Sequence, residues 1–364
     1  MKISATLSAY LARNYLFNFM ILLIGLMGLI YFFDTVELLR RANKFDDVPM
    51  ALVFKMGLFK LPEVTQTIFP FAILFSAIFT FWHLTQKLEL IVVRAAGFSA
   101  LHFLLPIVTV AVLAGIAQMT VINPMGALML THYEKMESKY LKRQKSNITL
   151  FKDGLWLRQD TQDGYAIIHS TSIEQPNWTL KNISGFFFDN EDTLLSRLNA
   201  TTGNLEENKW HFKNAVIHNE FNEKTEVVDF YLNTHLTQQD VEDSFASPET
   251  IAFWKLPSHI QTLKESGFNP SRLQVHFHVL LARPLMLAAM VLIAAGVAMR
   301  LPRSGSAFLF IITGVFIGMA IFFTSSFMQA LGTSQQIPII LAAWSPALLS
   351  LLLGISLILH LEEE

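Results

Sequence analysis

The chain has 364 residues, 52% of them hydrophobic, with a formal net charge of −2 and no cysteine. A near-neutral balance offers no basic surface for nucleic acid, and the missing thiols exclude disulfides, thiolate metal sites and cysteine nucleophiles. The apolar residues are gathered into six long runs, which excludes a soluble enzyme built around one large core.

Three runs come first, at 16–33, 64–84 and 101–122; three more close the chain, at 279–299, 308–329 and 337–361. Each suits a hydrocarbon core of ~30 Å, which about 20 helical residues cross. Lys2 and Arg13 before the first run resemble the start of a signal peptide. The run instead continues into Phe33-Asp34-Thr35-Val36-Glu37 with no small-x-small cleavage site, so it reads as a retained span. The 31 phenylalanines read as lipid-facing bulk and helix packing.

Loop charge sets the orientation. Arg300 and Arg303 lie between the fourth and fifth runs, whereas the connection 331–336 has no charge. This places 300–306 in the cytoplasm, the middle block outside, the loop with Lys87 and Arg94 inside, and both termini inside. The connection after the first run conflicts with this count, because Arg40, Arg41, Lys44, Lys55 and Lys60 then lie outside. An anionic ligand at the outer membrane surface would account for them.

From about 140 to 259 the pattern changes to short β segments, at 154–158, 165–169, 183–188, 194–200, 210–212, 215–218 and 227–232. Turn signals fall at Asp153-Gly154, Asp163-Gly164, Asp189-Asn190 and Thr202-Gly203-Asn204. Such spacing predicts a sandwich or jelly roll. Residues 131–145 continue the third span as helix, and 247–266 form a short helical return broken by prolines. The expected organisation is 1–137 for spans 1 to 3, 138–269 for the β domain, and 270–364 for spans 4 to 6. The fold class is therefore membrane α-helical with an inserted extracytoplasmic all-β, jelly-roll-like domain.

No phosphate-binding glycine loop, zinc-protease helix or nucleophile elbow occurs, and no cofactor is expected on this chain. His276 and His278 point to different helix faces and read as interfacial, hydrogen-bonded residues. His211, His218 and His235 read as surface residues. Arg283, just before Pro284, either snorkels, pairs, or faces an internal cavity. Asp34 with Glu37 is the one acid pair at a membrane edge that could serve lipid chemistry. Between spans 2 and 3, Leu88, Ile91 and Val92 follow helical spacing, with Glu89 and Arg94 as polar positions and Gly97 as a stop. That is a short amphipathic helix, which either lies on lipid or docks into a cytoplasmic motor.

Together these features resemble the LptF/LptG permeases of the bacterial lipopolysaccharide export transporter. The stretches that carry the resemblance are Val36 to Ala42, Phe69-Pro70, Leu84 to Val92, Ala96-Gly97-Phe98, Arg303-Ser304 through Thr313-Gly314, and 256–267. The order of all of them is the specific signal, and the basic pair and the 86–98 segment sit closer to the LptG branch. The resemblance implies a transport subunit with no ATPase site of its own, in the bacterial inner membrane with a periplasmic β domain. It implies as partners a second, LptF-like permease, a cytoplasmic ATPase dimer that uses ATP, a single-span periplasmic jelly-roll protein and a periplasmic bridge protein. The implied activity is extraction of lipopolysaccharide from the outer leaflet. It places Glu89, Leu90, Arg94, Gly97 and Phe98 on the coupling helix to the ATPase. Arg40 and Arg41, with Lys44, fall at a site for lipid A phosphates at the cavity mouth. Asp34 and Glu63 stand where the family pattern carries further cations. A permease for another envelope lipid and a non-transport membrane scaffold stay open as alternatives.

Overall fold

The computed structural model describes residues 5–45, 48–89, 99–142, 148–151, 154–161, 164–174, 179–189, 191–206, 209–219, 223–234, 247–265, 269–300 and 307–363. They divide into two compact units, one of Met1–Leu141, Glu249–Trp254 and Ser271–Glu364, the other of Lys142–Pro248 and Lys255–Pro270.

The first unit is helical. Span 1 is Ala5–Ala42 and span 2 is Met50–Gln86. Span 3 runs from Ala100–Ala117 through a π-helical segment, Gln118–Ile122, into Asn123–Met136 and a last wide turn, Glu137–Lys142. Span 4 is Ser271–Arg300, span 5 is Ala307–Thr333 and span 6 is Ile339–Glu363. All six are long and apolar enough to cross a membrane. The helices overrun the apolar runs at several ends, because a helix continues past the bilayer wherever its flank is polar and unbroken.

Spans 2 and 4 are the inner pair, with 56% and 67% of their apolar windows buried; spans 1 and 5 are the outer pair, at 11% each. Small residues let the inner helices close. A Cβ on Gly296 would lie 2.7 Å from Leu357 Cβ, and one on Gly354 would lie 2.8 Å from Leu292 Cβ. Spans 4 and 6 therefore meet backbone to side chain. Large core side chains, Tyr15, Phe19, Phe69, Phe81, Leu104 and Ile107 among them, sit where spans 1, 2 and 3 converge. Phe19 meets Phe69 edge-on with ring centroids 5.2 Å apart.

The second unit carries the all-β insert between spans 3 and 4, as the sequence led us to expect. Its strands are β1 Ile148–Phe151, β2 Gly154–Thr161, β3 Gly164–Glu174, β4 Thr179–Asp189, β5 Leu194–Glu206, β6 Lys209–Asn219 and β7 Lys224–Asn233. They form one antiparallel sheet in chain order. The sheet is curled. At ~4.8 Å per strand, a flat sheet would hold β4 and β7 ~14 Å apart, yet the Phe187 and Phe230 rings lie 6.1 Å apart. Gln159 on β2 donates from Nε2 to the Asn233 carbonyl at the end of β7.

A crease crosses four of these strands. Ladder pairs are missing at Thr171, Asn182, Thr201 and Asn214, which lie opposite one another in register. Asn182 and Asn214 have φ of 50° and 51°, the left-handed region that asparagine tolerates. On either side of the line the buried face changes phase: Leu180 then Ile183 on β4, Ala200 then Gly203 on β5, Phe212 then Ala215 on β6. One long strand thus serves both halves of the roll.

The crease corrects two sequence expectations. Segments 210–212 and 215–218 are one strand, β6, kinked at Asn214 and not two. Thr202-Gly203-Asn204 is no turn but the interior of β5. Gly203 is there because a Cβ would lie 2.6 Å from Phe212 Cδ1 and 2.7 Å from Ile183 Cδ1. Strand β1 carries no alternation in its four residues and was not foreseen.

Candidate functional site

The expected cationic site lies at the end of span 1. Arg40 and Arg41 occupy its last turn, where cations complement the helix dipole. Lys44 is exposed in the following turn, its backbone N–H donating to the Arg41 carbonyl at 3.3 Å. Both guanidinium groups bind one carboxylate: Glu37 accepts from Arg40 Nε and Nη2 at 2.8 Å each and from Arg41 Nε at 3.0 Å. Arg41 also reaches Glu137 at 3.5 Å, and Glu137 accepts from the Tyr133 hydroxyl at 3.2 Å. The structure therefore brings Arg40 and Arg41 together on one internal acidic partner, with Lys44 exposed in the turn that follows.

Asp34 does not act with Glu37 as an acid pair for lipid chemistry. Its carboxylate takes Lys60 Nζ at 3.1 Å, while Glu37 is held by the arginines. Asp34 is thus committed to Lys60, and Glu37 to the two arginines.

On the other face of the unit, the turn Lys87-Leu88 ends span 2, with Leu88 at φ 61°. Glu89 follows, and the Tyr10 hydroxyl donates to its carboxylate at 3.2–3.3 Å. Leu90, Arg94, Gly97 and Phe98 lie outside the described residues.

A cavity of about 260 Å³ lies between spans 2, 4, 5 and 6. Glu63 and Gln66 of span 2, Asn123, Glu249, His276 and Arg283 give it polar walls; Pro70, Phe71, Met286, Met290, Ile321 and Phe322 give it apolar ones. The geometry of its polar wall starts from proline. Pro70 has no N–H, so the Gln66 carbonyl four residues earlier loses its helical partner. Inside a bilayer that carbonyl must find another donor. It finds two: Arg283 Nη1 at 3.0 Å and Gln118 Nε2 at 3.1 Å. Gln118 is fully buried and opens the π-helical segment of span 3, a distortion that recurs at functional positions. The Gln66 side-chain oxygen accepts from Asn123 Nδ2 at 3.0 Å, and Asn123 Oδ1 accepts from the Phe253 backbone N–H at 2.8 Å. A Cβ on Gly126 would lie 2.9 Å from Gln66 Nε2, so the glycine makes room for this network.

Arg283 therefore faces the cavity, the third of the readings its position allowed. His276 lines the cavity too, and among the described residues its Nε2 and His278 Nδ1 are buried without a hydrogen-bond partner. The expectation of hydrogen-bonded interfacial histidines is corrected at these two ring nitrogens. His211 is corrected as well. Its Nε2 lies 2.7 Å from Asp229 and its Nδ1 3.0 Å from Glu206, and these two bonds hold its pKa above the usual histidine value. The Gln66 network escaped the sequence reading. One local sign of it exists: a glutamine four residues before a proline inside an apolar run.

Six membrane helices, an inserted β roll, and polar groups at one end of a half-apolar cavity define a multipass membrane protein with a large soluble insert. The chain belongs to the lipopolysaccharide export system permease LptF/LptG family, whose pattern it matches over residues 9–360. It is 24% identical over 356 residues to the lipopolysaccharide export system permease protein LptG of Haemophilus influenzae, covering 94% of this chain and 95% of that protein. It is 23% identical over 348 residues to the protein of the same name from Escherichia coli K12, covering 93% of each.

Proposed function

We propose that this chain is one permease of an ATP-driven exporter that lifts lipopolysaccharide from the outer leaflet of the inner membrane and passes it to a periplasmic bridge. The observation that carries this reading is the family match from residue 9 to residue 360, which takes in all six spans and the insert together. The partners in this reading are a second permease, a cytoplasmic ATPase dimer that supplies the hydrolysis, and a single-span jelly-roll protein.

The physical problem is the lipid's tails. An acyl chain of about a dozen methylenes at ~0.8 kcal/mol each costs roughly 10 kcal/mol to expose to water. The tails must pass from lipid to an apolar cavity and then to an apolar groove. The outer spans suit the first transfer: Phe32 and Phe33 of span 1, and Phe316, Phe323 and Phe327 of span 5, are all more than half exposed. In this reading they form a lateral gate with the second permease. Arg40, Arg41 and Lys44 take the head-group phosphates. Exposed ion pairs are worth only ~0–1 kcal/mol, so a phosphate that binds both guanidinium groups bidentately can displace Glu37. Glu89, with Leu90, Arg94, Gly97 and Phe98, carries the ATPase stroke into span 2.

Affinity purification of the full chain in mild detergent, with mass spectrometry of proteins and lipids, tests the reading. A second six-span permease, an ATPase and bound lipopolysaccharide are expected. A folded protein that carries only ordinary phospholipid and no ATPase would overturn it. Glu89→Lys should abolish export while the protein stays in the membrane, and Tyr10→Phe, which removes only the hydroxyl bond, should keep most of it. Normal growth on Glu89→Lys alone refutes the coupling role.

A further inference from the structure

The cavity between spans 2, 4, 5 and 6 holds charges of both signs that do not neutralise one another. Glu63 and Glu249 line it, and so does Arg283. Among the described residues none of the three forms an ion pair. Arg283 uses one N–H on the Gln66 carbonyl; a guanidinium has five. Separated charges of opposite sign are costly within a membrane-embedded unit. An anion would satisfy Arg283 and face two carboxylates. A cation would do the reverse. A ligand with both signs satisfies all three.

We propose that this cavity takes a lipid head group that carries a phosphate and a primary ammonium on the same molecule, with the phosphate on Arg283 and the ammonium between Glu63 and Glu249. The size agrees: the cavity is about 260 Å³, against the ~150 Å³ that admits a benzene ring. It is room for a head group and its first methylenes, which Met286, Met290 and Phe322 would cover. A whole glycolipid with several tails does not fit. The inference deepens the lipid-permease reading and rests on it. Two sources share the chemistry: a zwitterionic membrane phospholipid, and a glycolipid cargo decorated with aminoethyl phosphate.

The test uses the full chain in detergent, stripped of lipid and then offered equal amounts of phosphatidylethanolamine and phosphatidylglycerol, with bound lipid read by native mass spectrometry. Charge complementarity of this kind should favour phosphatidylethanolamine by about tenfold. The Glu63→Gln/Glu249→Gln double variant should bring the ratio close to one with its melting temperature unchanged. That variant leaves the Gln66 network intact, so a folding failure does not confuse the result. A second arm offers lipopolysaccharide with and without aminoethyl phosphate. Preference for the decorated form, lost in the same variant, places the site on the cargo path; no such preference, with the phospholipid preference intact, assigns it to membrane phospholipid. Equal retention of the two phospholipids by the unaltered chain, or a preference that survives the double variant, overturns the proposal. If plain lipopolysaccharide and an ATPase still co-purify in that case, the permease reading stands without it.

Discussion

Both units of this chain interrupt their regular elements, and they do it with different residues. The helical unit uses proline: Pro62 and Pro70 in span 2, Pro106 in span 3, Pro284 in span 4, Pro346 in span 6. The sheet uses asparagine in the left-handed region, at Asn182 and Asn214 along its crease. Proline frees a carbonyl, and within a bilayer that carbonyl needs a protein donor. The Gln66 carbonyl gets Arg283 and Gln118. Pro124 takes away the donor an α-helix would aim at the Thr120 carbonyl, and that oxygen accepts from Trp254 Nε1 at 3.3 Å. An asparagine at the crease keeps its N–H, and at Asn182 the side chain finds its partner on the neighbouring strand, with Nδ2 donating to the Thr171 hydroxyl at 3.3 Å. A break in a membrane helix therefore recruits partners from distant sequence, whereas a break in the sheet is settled locally.

The largest effect should come from forcing a proline site apart. A Cβ on Gly115 would lie 2.6 Å from Pro284 Cα. Gly115→Leu overpacks this contact between spans 3 and 4 and should cost ~1–3 kcal/mol or more. Gly28→Leu is the control, because nothing lies within 4 Å of a Cβ there. Thermal unfolding of the isolated chain in detergent, read by size exclusion, should show a clear loss for the first and none for the second. Equal losses would mean that the inner and outer spans are not distinguished by packing.

Next comes the recruited donor. Gln118→Leu removes one of two partners of the Gln66 carbonyl and should cost about 1–3 kcal/mol. In a Pro70→Ala background, residue 70 regains its N–H and can bond that carbonyl itself, so the cost of Gln118→Leu should shrink. A cost unchanged by Pro70→Ala would show that the freed carbonyl is not what Gln118 serves.

This comparison also explains what the sequence could show. The six spans were legible because a bilayer forces apolar length, whatever a span packs against. Their order from inside to outside was not, since span 1 is as apolar as any and yet 11% buried. Glycines and alanines on span 4 carry that information through contacts with span 6. Strands with clear alternation were found; β1 was too short, and the crease at Asn214 split β6 in two. At the candidate site, Arg40 and Arg41 stand out in the sequence as cations in a loop that the charge count places outside, whereas Glu37's hold on both follows from i, i+3 and i, i+4 helical spacing, which a loop reading does not use. The cavity wall draws on residues 66, 118, 123 and 283, which only the tertiary fold assembles.

Smaller effects belong to the sheet. Asn214 sits at φ 51°, a conformation that costs an ordinary side chain ~1–2 kcal/mol. Asn214→Ala should lower the stability of the β unit by about 1 kcal/mol and Asn214→Gly should change it little. Hydrogen exchange along β6 reads both. A glycine variant as damaged as the alanine one would mean that the side chain, and not the backbone angle, makes the crease.

The smallest effect is also local, and it titrates. With Asp229 on one ring nitrogen and Glu206 on the other, His211 can donate to both carboxylates only as imidazolium. Its folded pKa is raised above the unfolded value of ~6.5. The sign follows from linkage: the contribution is complete below the unfolded pKa and is lost as pH rises through the folded one. The β6–β7 ladder around His211 should therefore exchange its amides faster, relative to the rest of the sheet, at pH above that folded value than at pH 6. In His211→Gln the pH dependence of that ratio should disappear, since glutamine donates the same at every pH. Its persistence in the variant would assign the effect to the other titrating groups of the two strands, the Lys224–Glu226 pair of β7 among them.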